Sequence, residues 1–273
     1  MDNQSALNPN LIFLKLGGSL ITDKGKPHTI RENLIARLAE EIKKIVSENP
    51  NLSLLLGHGS GSFGHVPAKK YQTRLGVQSE EEWKGFGKVW LEARRLNQIV
   101  IEALNKVSIP SISFPASSCA ISIENTITYW DLTPINAAID HHIMPVVYGD
   151  VIFDDTLGGS IVSTEEIFSF LARRLLPTKI FLAGHDNGVF FDYPHRTTLI
   201  PEITDINWER VSSALDHSQN VDVTGGMRTK VNLMLNLSRE LPGLEVFIFS
   251  GTEPGNLYSA LKGNMRGTRI TNT

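Results

Sequence analysis

The sequence predicts an α/β protein with a mainly parallel central sheet covered by helices on both faces. Three observations carry this. Apolar runs of strand length alternate with longer stretches of helical periodicity, the pattern of β–α units. Runs such as "LSLLLG" (52–57) are continuously apolar, as strands buried on both faces are. Glycine clusters follow several of these runs, at the strand ends where ligands collect in such sheets.

Taken in order, "LIFLKLGG" (11–18) is the first strand, ending in glycines. "RENLIARLAEEIKKIVSE" (31–48) sets Leu34, Leu38, Ile42 and Ile45 at helical spacing, with charge on the opposite face. "LSLLLG" is the second strand, residues 80–107 form a long helix, and "IPSISF" (109–114) is a further strand. "ISIENTITYW" (121–130) alternates around Glu124 and Asn125, which predicts a hairpin. Strands follow at "MPVVYGD" (144–150), "KIFLAG" (179–184) and "LEVFIF" (244–249), with helices near 164–175, 207–215 and 228–240. No repeat or linker interrupts the series, so residues 1–273 are expected to form one α/β unit.

Hydrophobic residues make up 41% and charged residues 20% of the chain, enough apolar material for a sizeable core. A formal net charge of −3 leaves no basic footprint for nucleic acid. A single cysteine, Cys119, excludes an internal disulfide and points to a reducing cytoplasm. No apolar run approaches the roughly 18 residues of a membrane helix. The polar start "MDNQSALNPN" does not read as a signal peptide, so a cytoplasmic location is expected.

Chemistry concentrates at the strand ends: "KLGGS" (15–19), "GHGSGSFGH" (57–65), "YGD" (148–150), "AGHDNG" (183–188) and "DVTGGMRTK" (222–230). Glycine lets backbone N–H groups turn toward an anion and approach it closely, and a following helix N-terminus adds partial positive charge. One such loop is usually a turn; three at strand ends, two with a lysine in the same motif, point to phosphate. Gly59, Gly61 and Gly64 do spell G-x-G-x-x-G, the dinucleotide-binding turn. That turn belongs to the first strand of its unit and needs an acid ending a second strand about twenty residues on. Glu80, Glu81 and Glu82 stand at that distance in a polar, helix-starting segment, and no P-loop lysine motif is present. No His/Cys/Asp set has zinc spacing, so no protein-bound metal is predicted.

"LKLGGSLITDK" (14–24), "GHGSGSFGH", "PVVYGDVIFD" (145–154), "DVTGGMRTK" and "RGTRI" (266–270) together resemble the isopentenyl phosphate kinases of the amino acid kinase superfamily, in the right order over nearly the whole chain. The resemblance implies an open αβα sandwich, with an N-terminal part that binds the acceptor and a C-terminal part that binds ATP. It implies transfer of the γ-phosphoryl of ATP to isopentenyl phosphate, with Mg²⁺ carried largely by the nucleotide. It further implies a homodimer.

By the same resemblance, Lys15 and Lys230 flank the transferring group, and Gly17, Gly18, Ser19 and Gly61 offer backbone contacts to ATP phosphates. Gly226 lies close to the nucleotide, with Glu165 and Asp186 on the same side. His65 hydrogen-bonds the acceptor's phosphate, aided by Gly59, Ser60 and Gly149, with Lys24 a further candidate. Lys15 stands in an otherwise apolar strand, an expensive place for an unpaired cation. His58 reads as structural, while Asp150 fits a strand-end cap and a site carboxylate equally well. Trp83 and Phe86, with Val89 and Trp90, could line one face of the long helix near the acceptor's tail or simply belong to the core.

The chain departs from the family in two places. "VSTEE" (162–166) puts Thr164 and Glu165 where many members have glycine and an aspartate that helps to organise the lysines, Glu165 keeping the charge with one methylene more. "GHDNGV" (184–189) retains Asp186 and Gly188 but lacks the usual threonine and second aspartate. A fosfomycin-type phosphonate kinase and a nucleotide-binding sensor without turnover are the alternatives; tail preference separates the first, and the altered motifs would favour the second.

Overall fold

The computed structural model describes residues 6–23, 25–216 and 226–272. Its first half contains strands β1 (Asn8–Leu16), β2 (Ser53–His58), β3 (Ser111–Ser113), β4 (Ala120–Ile123), β5 (Thr126–Trp130), β6 (Met144–Tyr148) and β7 (Asp150–Asp154). The second half adds β8 (Gly158–Val162), β9 (Pro177–Gly184), β10 (Val189–Phe190), β11 (Leu199–Ile200), β12 (Glu202–Ile203), β13 (Glu245–Ser250) and β14 (Thr268–Ile270). Eight strands form one sheet in the order β12-β14-β13-β9-β1-β2-β6-β3. Its members from β13 to β3 pair in parallel, and β13–β14 is antiparallel.

Helices α1 (Gly18–Ile21), α2 (Glu32–Glu48), α3 (Gly61–Tyr71), α4 (Glu80–Lys106), α5 (Ala116–Cys119) and α6 (Thr133–Asp140) belong to the first half. Helices α7 (Thr164–Leu175), α8 (Trp208–Asp216), α9 (Gly226–Glu240) and α10 (Asn256–Leu261) belong to the second. The period-2 alternation of the central strand divides the core between two faces. Leu11 and Phe13 enter the core shared with α7 and α9. Ile12, Leu14 and Leu16 enter the core shared with α2 and α4. Lys15 therefore faces α7 and α9, and on β2 the same rule turns His58 toward α4. Gly57 faces α7, where a Cβ would stand 2.6 Å from Phe168 and Thr164, so the close approach of this helix requires glycine.

The predicted hairpin at 121–130 is present as β4–β5, its turn residues Glu124 and Asn125 both at positive φ. It belongs to a separate four-stranded sheet, β5-β4-β7-β8. Asp154 accepts backbone N–H bonds from Glu124, Asn125, Thr156 and Leu157, pinning two turns at once. On α2 the buried face uses Ile35 alongside Leu38, Ile42 and Ile45, with Leu34 at its margin. Two features differ from expectation. The strand ending in "YGD" stops at Tyr148, and the chain crosses through Gly149 into β7 of the second sheet. The "GHGSGSFGH" motif is only partly a loop, because α3 begins at Gly61 and continues past Pro67. Among the described residues, no helix is long and apolar enough to cross a membrane.

Candidate active site

β1, β2, β6 and β9 end on the same edge of the large sheet, and a cavity of about 320 Å³ lies across these ends. Lys15 enters it from β1, only 7% exposed. Glu165, in the first turn of α7, is 6% exposed and binds Lys15 through Oε2. Its Oε1 lies 3.2 Å from the Nζ of Lys230 on α9. Burial alone would raise the pKa of Glu165; Lys15 and then Lys230 outweigh it and hold the carboxyl down to about 2. One carboxylate thus fixes two ammonium groups that would otherwise repel each other.

The glycine loops form the adjoining wall. Gly17 donates its N–H to the Ala183 carbonyl at 2.8 Å, and Gly59 donates to Leu16 at 3.1 Å, tying both loops to strand ends. They also interlock: a Cβ on Gly59 would sit 2.8 Å from the Gly18 nitrogen, and one on Gly18 would collide with Gly61. Gly61 has φ +52, a conformation favoured by glycine. Thr22 completes the corner, its hydroxyl donating to the Gly18 carbonyl at 2.6 Å and accepting from the Ser62 N–H at 2.9 Å.

Of the residues singled out in the sequence, Lys15, Gly17, Gly18, Ser19, Gly59, Ser60, Gly61, His65, Gly149, Glu165, Asp186, Gly226 and Lys230 all line this one cavity. Asp186 is held by Arg196 at 2.9 Å. Lys24 lies outside the described residues. Trp83 and Phe86 do not reach the cavity wall. At helical spacing they meet edge to face, both rings lie tilted against Phe153, and Phe86 packs over the bare backbone of Gly159. The cluster that holds Phe86 meets the cavity through Ile161, which belongs to both. Asp150 turns away from the site and accepts the N–H and hydroxyl of Ser117, with burial pushing its pKa up to about 6; it acts as the strand-end cap.

Several cavity residues escaped the sequence reading. Thr164 donates its hydroxyl to the His58 carbonyl at 2.6 Å, a tie its position in "VSTEE" did not suggest. Ser163 and Glu166 form a capping box on α7, legible as S-x-x-E just before the apolar run. Arg74 grips both carboxylate oxygens of Glu166 and so braces the turn that carries Glu165. Met227, Leu233, Asn232 and Asn236 of α9 line the far end; their signal was plain helical periodicity, which does not separate a site wall from core.

A cavity floored by two lysines on one carboxylate, between interlocked glycine loops at parallel strand ends, suits anionic substrates. The model of the amino acid kinase family matches residues 10–250. The chain belongs to the amino acid kinase family. Within that family it is 33% identical over 269 residues to an isopentenyl phosphate kinase of Methanocaldococcus jannaschii, covering 95% of this chain and 98% of the relative. It is 34% identical to the isopentenyl phosphate kinase of Methanothermobacter thermautotrophicus, covering 96% and 99%. A solved isopentenyl phosphate kinase superposes with a TM-score of 0.81 at 30% identity, over 96% of this chain and 100% of that one. The amino acid kinase fold accounts for the parallel sheet and for its loops gathering at one edge.

Proposed function

We propose that the protein is an ATP-dependent kinase that phosphorylates isopentenyl phosphate to isopentenyl diphosphate. The observation that carries the reading is the Lys15–Glu165–Lys230 cluster facing the glycine loops and His65 in one cavity. The full-length likeness to isopentenyl phosphate kinases supplies the substrate.

Phosphoryl transfer between phosphate oxygens needs in-line positioning and charge neutralisation, with little covalent help from the protein. Lys15 and Lys230 provide two positive charges at a spacing set by Glu165, on either side of the group in transit. The N–H groups around Gly17–Ser19 and Gly61 receive the ATP phosphates. Ser60 and His65 receive the phosphate of the acceptor. The α9 residues and Asp186 receive the rest of the nucleotide. Behind Ile161, the cluster containing Phe86 and Trp83 gives the acceptor's hydrocarbon tail an apolar backing. Among the described residues no group of three His, Cys, Asp or Glu side chains could hold a metal, and both oxygens of Glu165 are committed to lysines. On this reading Mg²⁺ enters with the nucleotide as Mg-ATP, part of the substrate, since this ion is usually held largely by substrate phosphates. The same reading has the chain working as one unit, as a cytoplasmic homodimer, in keeping with the family.

The test is ADP release from Mg-ATP with isopentenyl phosphate, dimethylallyl phosphate, fosfomycin or acetylglutamate as acceptor. Turnover with the two prenyl monophosphates is expected. Turnover with fosfomycin alone would replace the substrate, and ATP binding without turnover on any of them would overturn the kinase reading.

A further inference from the structure

His58 is fully buried, yet its imidazole is fully engaged. The ring stacks on Tyr148 with centroids 5.3 Å apart and planes 7° from parallel. Nδ1 lies 3.1 Å from the Gly59 carbonyl oxygen, and Nε2 lies 3.1 Å from the Oδ1 position of Asn97, itself buried on α4. The Nδ2 position of Asn97 in turn lies 2.9 Å from the hydroxyl oxygen of Ser113 on β3. The backbone carbonyl of His58 takes the Thr164 hydroxyl and the Gly149 N–H. One residue therefore joins β2, α4, β6 and α7 directly beneath the Gly59–Gly61 loop.

The protonation state follows from burial and partners. Burial holds the imidazole pKa down to about 4, so the ring is neutral and has one N–H. A proton on Nε2 would leave the Nδ1 lone pair against the Gly59 carbonyl oxygen, which only accepts, whereas the Asn97 carboxamide can present either end, so the proton is assigned to Nδ1. Nε2 is then an acceptor, which calls for the Asn97 carboxamide turned over from the placement in which Oδ1 faces the ring, so that Nδ2 donates to Nε2. The two carboxamide orientations are nearly isosteric, and the turned one, with Nδ2 toward the ring and Oδ1 toward the Ser113 hydroxyl, satisfies a ring protonated on Nδ1.

The consequence lies in the next peptide. Across a planar trans peptide the C=O and N–H point in opposite directions. With the Gly59 carbonyl anchored inward on His58, the Ser60 N–H is turned away from His58. Gly59, Ser60 and Gly61 line the cavity, and the Ser60 N–H makes no hydrogen bond among the described residues. We propose that His58 is a positioning residue: its Nδ1–H bond to the Gly59 carbonyl fixes the Gly59–Ser60 peptide with its N–H, rather than its C=O, toward the acceptor's phosphate. Glycine at 59 makes this necessary, since a glycine peptide is free to flip and a flipped one would present a carbonyl oxygen to an anion. The inference rests on the kinase reading above for the identity of that anion.

Two variants separate positioning from bulk packing. His58→Asn places an amide nitrogen near the Nδ1 position and keeps a donor to Gly59; His58→Gln places its amide near Nε2 and loses that donor. With isopentenyl phosphate, H58Q is expected to raise the acceptor KM about ten-fold or more while the KM for ATP stays within about two-fold. H58N should stay within about three-fold of the parent on both. ¹⁵N NMR of the unaltered protein at pH 7 should show His58 protonated on Nδ1, a readout independent of any substrate and of how the variants fold. An Nε2-protonated ring, an unchanged acceptor KM in H58Q, or equal losses on both KM values in both variants would overturn the inference. Absence of turnover by the unaltered protein would instead strike the functional reading and leave the tautomer to decide the peptide's orientation.

Discussion

Lys15 and Glu165 form a buried ion pair on the cavity floor, joined by Lys230 on the second carboxylate oxygen. Removing one member of a buried pair strands the others, typically at about 3–5 kcal/mol. Glu165→Gln should therefore lower the melting temperature and cut kcat by about 10²-fold, as the lysines lose their fixed spacing. Thermal unfolding and ADP release measure both. A variant with parental kcat would show that the spacing does not matter to transfer.

The same carboxylate sets a pH dependence. Its folded pKa lies below the unfolded value, so its contribution to stability is fully present above about pH 4.5 and is lost as pH falls from there toward 2. Urea unfolding between pH 3 and pH 6 should show a steeper loss of stability in the parent than in Glu165→Gln. Parallel curves would mean that Glu165 titrates alike in both states.

His65 and Lys230 should separate in their kinetics. His65→Ala is expected to reduce kcat/KM for isopentenyl phosphate by about 10²-fold with ATP affinity nearly unchanged. Lys230→Ala should reduce kcat by a similar order for every acceptor. Steady-state kinetics with each substrate varied in turn distinguishes the two; an unaffected acceptor term in His65→Ala would remove that side chain from the phosphate.

The apolar cluster behind Ile161 offers a contrast between stability and specificity. Phe86 is 7% exposed and packs on Trp83 and Phe153, so Phe86→Ala should cost about 3–5 kcal/mol by urea unfolding. Ile161 touches the cavity itself, and Ile161→Ala should shift the preferred prenyl tail toward longer chains at smaller cost in stability. Equal acceptor profiles for the parent and Ile161→Ala would place the tail elsewhere.

By itself the sequence determined the architecture and the anion-binding edge. Continuous apolar runs between amphipathic helices admit few arrangements other than a covered parallel sheet, and glycine clusters at strand ends mark where backbone N–H groups are available. Lys15 was legible for the same reason: a lysine in an apolar strand must have a partner. The family resemblance pointed to the Glu165 position as the acid that organises the lysines; what only the tertiary structure decided was how that carboxylate divides between them, and what the α4 side chains face. Glu165 and Lys230 are 65 residues apart and meet Lys15 because strand alternation turns it toward α7 and α9. Trp83 and Phe86 share a helical stripe that suits core and pocket equally; the packing of the second sheet made Phe86 core and left Trp83 at the surface against it. His58 and Asn97 are 39 residues apart, and their bond exists because β2 turns His58 toward the helix that carries Asn97. Periodicity fixes which way a side chain points, but its partner depends on which element the fold lays against it.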